Sequence, residues 1–294
     1  MGALAKITAN SVIDRIQRMH GRLASGTREC ESLGMTTPPV NSNRLPPVDG
    51  TLARLGRVLL PPRCLICGEA GSAGHDLCTA CIAALPWNDH ACARCGLPVP
   101  AVDEDSNAAG MRVCGRCLRK PPPLDRVIAA FRYEFPITEL LPRLKFHQDL
   151  AAGREVAMAM QAQISHCLDS TEPRPQALIP VPLHPTRLRQ RGYNQALELA
   201  RPLAQAFAIA LLADGLRRMR ATPAQSELGA LARRRNPRGA FAVGDTRLPE
   251  HVALVDDVMT TGATVFECAR VLRRVGVQRV DVWVAARVPT RTKA

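Results

Sequence analysis

Val252-Ala253-Leu254-Val255-Asp256-Asp257-Val258-Met259-Thr260-Thr261-Gly262-Ala263-Thr264 reads as a buried strand that ends in two adjacent acids and turns through Thr-Thr-Gly into a helix. The helix that follows places Val265, Phe266, Ala269, Leu272 and Val275 on one side and Arg270, Arg273 and Arg274 on another. Gly276 then stops it. At such a helix start the backbone N–H groups of Thr260, Thr261, Gly262, Ala263 and Thr264 form a cradle for a phosphate dianion. Threonine hydroxyls add donors, and Gly262 lets the backbone approach closely. Upstream, Asp256 and Asp257 stand where the 2′ and 3′ hydroxyls of a phosphorylated ribose would lie, able to accept their hydrogen bonds or to organise Mg²⁺ on them. Helix capping alone would need one such residue, whereas five acids and threonines fall within residues 256–264. No G-x-x-x-x-G-K-[ST] and no G-x-G-x-x-G occurs, which argues against nucleoside-triphosphate and dinucleotide readings.

The same α/β pattern extends outward from this stretch. Residues 126–133, 177–183, 251–256 and 279–285 suit strands, and residues 153–167, 195–210 and 264–275 suit helices. Short apolar strands alternating with amphipathic helices predict a mostly parallel sheet flanked by helices. In such sheets ligands bind beyond the carboxyl ends of the strands, which is where the acid pair falls.

Ahead of the α/β region lie eight of the 11 cysteines, as four C-x-x-C pairs: Cys64 and Cys67, Cys78 and Cys81, Cys92 and Cys95, Cys114 and Cys117. A C-x-x-C turn presents two thiolates on one side of a tight knuckle, and two knuckles close a tetrahedral S₄ site. Gly68, Gly96 and Gly115 follow or sit within these turns. Two structural zinc ions are expected, with iron–sulfur or redox chemistry as the alternatives. The short loops favour pairing in sequence order, although alternate, cross-braced pairing also satisfies the spacing. His75 and His90 are expected at the surface rather than as ligands. Cys30, Cys167 and Cys268 read as small apolar fillers.

Charge separates the partner classes. The chain has 294 residues and a formal net charge of +13. Residues 124–294 hold 25 basic and 16 acidic side chains, so most of the surplus sits there. The cysteine module holds 7 basic and 6 acidic side chains, and eight thiolates with two Zn²⁺ bring it to about −3. That is a poor grip on a phosphodiester backbone, and with only 3% aromatic residues there are few platforms for stacked bases. A polyanionic small molecule is therefore the favoured partner. Direct nucleic-acid binding rests on charge alone.

Residues 1–51 look like an N-terminal extension, with a loose amphipathic pattern at 7–24 and then proline-rich linker composition. A short helix is expected at 52–60, a double ribbon over 52–121, and the α/β domain over 124–294 after Pro121-Pro122-Pro123. No apolar run reaches the length of a membrane span and no secretory leader is recognised, so the expected location is the cytoplasm and no membrane partner is foreseen.

Val255 to Thr264 resembles the phosphoribosyl pyrophosphate motif of type I phosphoribosyltransferases. Ile179-Pro180-Val181-Pro182-Leu183, Arg189-Gln190-Arg191-Gly192-Tyr193-Asn194-Gln195, Leu144-Lys145-Phe146 and residues 225–241 resemble the ComF family. With the ribbons in front, the likeness covers about residues 52–288. It implies the type I phosphoribosyltransferase fold, phosphoribosyl pyrophosphate or a related sugar phosphate as ligand with Mg²⁺, and a role in DNA uptake or transformation. It also assigns Asp256 and Asp257 to the reacting ribose. Residues 187–195 become the loop near the pyrophosphate, where Arg187, Arg189 and Arg191 suit a polyanion, and Lys145 becomes a phosphate contact. The seven arginines of 217–238 resemble a mobile hood. Two functions stay open: a phosphoribosyltransferase, or a sensor whose ribbons dock onto DNA-processing proteins.

Overall fold

The computed structural model describes residues 62–72, 74–100, 112–146, 149–168, 172–220 and 238–289. The helices expected at 7–24 and 52–60, and most of the arginine-rich stretch at 217–238, lie outside them. The chain divides into two compact units, one ending at Ala83 and the other beginning at Ala84.

The first unit holds the first two C-x-x-C pairs. Its knuckle closes through Gly68 N donating to Cys64 O at 2.9 Å, with Gly68 at φ 78°. Helix α1 (Thr79–Ala83) then carries Cys81, and its Ile82 is buried. His75 is buried rather than exposed, in a turn closed by its backbone N–H donating to Ser72 O at 2.9 Å.

The second unit repeats the device. Gly96 N donates to Cys92 O at 2.7 Å, with Gly96 at φ 68°, and helix α2 (Gly115–Arg119) carries Cys117. Gly115 merely starts that helix and has no positive φ.

Behind this ribbon stands the sheet. Its strands are β1 (Arg126–Arg132), β2 (Ala177–Pro180), β3 (Ala210–Leu211), β6 (His251–Met259) and β7 (Arg279–Arg287). They lie in the order β1-β7-β6-β2-β3, and every pair is parallel. The expected mostly parallel sheet with flanking helices is what forms, the arrangement of the type I phosphoribosyltransferase fold. β6 and β7 are buried on both faces, which is why they read as nearly continuous apolar runs.

Alternation along β6 assigns each residue to a face. Val252 and Leu254 pack with Val265, Ala269 and Leu272 of helix α7 (Ala263–Arg274). The other face is covered by helices α3 (Ile137–Phe146), α4 (Leu150–Cys167) and α6 (Gln195–Phe207), where Phe207 meets Trp283 at 5.4 Å between ring centroids. Trp283 is fully buried and contributes about 2–3 kcal/mol by burial alone.

Besides the short α1, α2 and β3, four elements were not foreseen. Helix α3 has Pro142 inside it, which hides its period. Helix α5 (Pro185–Arg191) replaces most of the loop expected at 187–195. His184 caps it by accepting from Thr186 N, Pro185 occupies its first turn, and Gly192 at φ 79° ends it. Strands β4 (Leu216–Arg218) and β5 (Phe241–Val243) form an antiparallel ribbon too short to show a pattern. Among the described residues, no helix is long and apolar enough to cross a membrane.

Candidate functional site

The cysteines gather as two quartets in sequence order: Cys64, Cys67, Cys78 and Cys81 in the first unit, Cys92, Cys95, Cys114 and Cys117 in the second. Within each quartet the sulfurs all lie within 4.8 Å of one another. Cys67 and Cys78 Sγ stand 3.6 Å apart, and Cys95 and Cys114 Sγ 3.8 Å. A tetrahedral zinc with Zn–S bonds of about 2.3 Å requires sulfurs about 3.8 Å apart, so the donor set and its spacing fit the ion. Backbone N–H groups also point at the sulfurs, Cys81 N to Cys78 Sγ at 3.4 Å and Cys114 N to Cys92 Sγ at 3.2 Å. Burial opposes the Cys64 thiolate, but N–H groups of Cys67, Cys78 and Ile66 outweigh it and bring its pKa down to about 6. The quartets thus suit a divalent cation with no open position. His90 is exposed and meets Arg112, and neither it nor His75 joins a quartet.

A separate pocket opens at the carboxyl end of the sheet. β2 stops at Pro180, opposite Val255 of β6, while β6 continues along β7 to Met259. From β2 the chain runs through α5 and α6 to β3 on one side, and from β6 it runs through α7 to β7 on the other. The crevice between β2 and β6 is therefore a topological switch point, the place where such sheets bind ligands. It encloses about 370 Å³ and is lined by Asp256, Asp257, Thr260, Thr264, Lys145, Arg187, Arg191 and Arg218 among others.

The strand period separates the two acids. Asp257 turns to the face of α3, and its Oδ2 lies 2.8 Å from Lys145 Nζ. Asp256 turns to the opposite face, toward α7 and Arg218. Both carboxylates also fold back onto the chain, Asp256 accepting from Asp257 N at 2.9 Å and Asp257 from Val258 N at 2.6 Å. Burial first, and then the Asp257 charge beside it, push the Asp256 carboxyl from 3.8 up to about 7. Burial works against the Lys145 ammonium, yet Asp257 outweighs it and raises that group above its usual value.

The basic wall explains a choice the sequence left open. In helix α5, Arg187 and Arg191 are four residues apart and share the face toward the pocket. Arg189 lies off that face and is exposed. Arg191 also stacks over Phe146, its guanidinium carbon 5.3 Å from the ring centroid, and donates to Gln195 Oε1 at 3.0 Å. Burial, and then the Arg187 charge, lower the pKa of Arg218. Cations pressed together in this way are relieved by a polyanion.

The segment from Thr260 to Gly262 is the turn between β6 and α7. Gly262 is the N-cap of α7 at φ 81°, with no side-chain cap on the helix N-terminus, and Thr261 Oγ1 accepts from Ala263 N at 3.4 Å. Thr260 and Thr264 line the pocket, whereas Thr261, Gly262 and Ala263 do not appear in its wall. A Cβ on Gly262 would come within 2.6 Å of Phe266 and 2.7 Å of Met259, so the glycine is required by packing behind the loop and by its φ.

Tyr133 lines the pocket without having been singled out, Phe146 and Arg218 entered only as members of the Leu144-Lys145-Phe146 motif and the 217–238 stretch, and Arg287 binds the base of the loop. Arg287 carried a signal of its own, as a charged residue ending the buried run Val280 to Ala286.

Comparisons with known proteins follow this division. A model of the double zinc ribbon domain matches residues 55–122. The chain is similar to the DNA utilization protein YhgH of Salmonella typhi, 34% identical over 232 residues, covering 78% of this chain and 98% of that protein. It is 32% identical to the protein of that name from Escherichia coli K12 over 230 residues, again 78% and 98% of the two chains. It is also 34% identical to competence protein F of Haemophilus influenzae over 233 residues, 76% of this chain and 96% of that one.

Proposed function

The chain belongs to the ComF family, that of competence protein F and the DNA utilization proteins, and on that footing we propose that its α/β domain binds phosphoribosyl pyrophosphate or a close ribose-5-phosphate relative in support of DNA uptake or utilisation. One observation carries the reading: two carboxylates from the end of β6 share a pocket with Lys145, Arg187, Arg191 and Arg218 at a switch point. Few ligands present a vicinal diol to paired acids and polyphosphate to paired arginines at once.

In this reading Thr260 and Thr264, at the two ends of the turn that opens α7, hold the 5′-phosphate, and Asp256 and Asp257 accept from the ribose hydroxyls. Arg187, Arg191 and Arg218 meet the pyrophosphate. Mg²⁺, held through the acids and the ligand's own oxygens, would offset pyrophosphate charge. Lys145 pairs with Asp257 in the free protein and turns to a phosphate oxygen when the diol arrives. The ribbons, residues 52–121, serve as scaffold and as a docking surface for DNA-processing proteins, while residues 124–294 carry the ligand.

Among the described residues, Asp256 and Asp257 are the only acids in the pocket wall, and this reading uses both on the ribose. That favours a ligand sensor over a transferase with its own general base. Titration calorimetry with phosphoribosyl pyrophosphate, with and without Mg²⁺, tests the binding. Saturable binding that is lost in the Asp256→Asn, Asp257→Asn variant is expected. A folded wild type that binds neither this ligand nor ribose 5-phosphate would refute the assignment. Pyrophosphate release sustained by one base from a nucleobase panel would turn the sensor into a transferase.

A further inference from the structure

Arg287 ends β7 with 2% of its surface exposed. Its guanidinium donates to four carbonyls: Cys95 O through Nε at 2.8 Å, Met259 O at 2.8 Å and Val288 O at 2.9 Å through a terminal nitrogen, and Thr260 O. Cys95 belongs to the second quartet, and Met259 and Thr260 lead into the phosphate loop. One side chain therefore joins a metal knuckle to the base of the candidate ligand cradle.

The knuckle is seated firmly on that side. Val127 N donates to Ala93 O at 2.7 Å, and the buried Asn88 amide donates to Gly96 O at 2.9 Å. A Cβ on Gly96 would come within 2.9 Å of Val127, so only glycine lets the knuckle lie this close to β1. Among the described residues Arg287 pairs with no carboxylate, and a buried cation without a counter-charge is costly. A zinc held by four thiolates carries a net charge of about −2 and supplies one.

We propose that Arg287 is a positioning residue through which the second zinc centre fixes the phosphate loop, and so tunes phosphoribosyl-ligand binding. The metal balances the guanidinium, the guanidinium holds the Met259 and Thr260 carbonyls, and those set where the loop's N–H groups point. The ligand-binding half of this statement rests on the function proposed above. The link between quartet and loop does not.

The test uses the full, zinc-loaded chain and reads amide hydrogen exchange in peptides covering 259–264. Arg287→Met keeps the apolar stem but no donor, and exchange there is expected to rise about tenfold while zinc content stays at two per chain. Arg287→Lys, with a charge but no fork, should fall between. In a Cys64→Ser, Cys67→Ser background the remaining zinc belongs to the second quartet. Its removal with a chelator should raise exchange at 259–264 by a similar factor, and this arm decides the matter if Arg287→Met does not fold. Affinity for phosphoribosyl pyrophosphate should fall about tenfold in Arg287→Met, and saturating ligand should raise the affinity for that zinc by the factor by which the zinc raises ligand affinity, as reciprocal linkage requires. Unchanged exchange at 259–264 after loss of either the arginine or the second zinc overturns the link. Altered exchange in a wild type that binds no ligand leaves the link standing and removes the proposed function instead.

Discussion

Replacing Asp256 by asparagine should stabilise the folded chain, and by more at pH 8 than at pH 5. Its carboxyl stands at about 7 against 3.8 for the ordinary group. Because the folded-state value is the higher, the folded chain binds the extra proton between these limits, and stability is lost as pH rises from about 4 to about 7. The whole shift would cost roughly 4 kcal/mol once Asp256 is ionised. Asp256 lines an open pocket, however, where solvent screens the charge, so about 2 kcal/mol is the reasonable expectation. The advantage of asparagine should widen by about 1 kcal/mol or more between pH 5 and pH 8, a difference that cancels any pH-independent effect of the amide. Urea unfolding can be followed by Trp87 and Trp283, both in the sheet-bearing unit. The same variant should bind phosphoribosyl pyrophosphate at least tenfold more weakly, the usual opposition of stability and function at a strained site. A stability gap between variant and wild type that does not change with pH would refute the reasoning.

Three further outcomes follow from the geometry. Arg187→Gln with Arg191→Gln should weaken phosphoribosyl pyrophosphate binding by tenfold or more and flatten its salt dependence, while Arg189→Gln leaves the titration within twofold of wild type. Gly262→Ala should already destabilise by about 1 kcal/mol or more, through φ and through Phe266 and Met259, with Gly262→Val worse; urea midpoints would show it. Purified, reduced protein should contain two zinc ions per chain by elemental analysis, and chelation should lower the melting temperature of the sheet-bearing unit as well as unfolding the first ribbon. A melting temperature for the sheet indifferent to chelators would separate the second quartet from it energetically.

Much of this protein is determined by residue order alone. Four C-x-x-C pairs announce two S₄ sites, because a knuckle's geometry is local, while the choice of sequence-order over cross-braced pairing is made by the fold. The run from Val252 to Thr264 defines strand, turn and helix, since buried parallel strands are apolar throughout and positive φ calls for glycine. What the sequence could not convey is anything set by alternation, handedness or packing between segments far apart in the chain. The internal proline of α3 hides its period, and α5 reads as a loop, so the sequence gives no reason why Arg187 and Arg191 face the pocket while Arg189 does not. Asp256 and Asp257 read as one acidic pair, yet the strand sends one toward Arg218 and the other to Lys145, and burial then raises the Asp256 carboxyl. Arg287 lies 192 residues from Cys95 and 28 from Met259. Only the parallel stacking of β1, β7 and β6 brings a metal knuckle and a phosphate loop to the same guanidinium, because a sheet registers strand ends by hydrogen bonding and not by sequence distance.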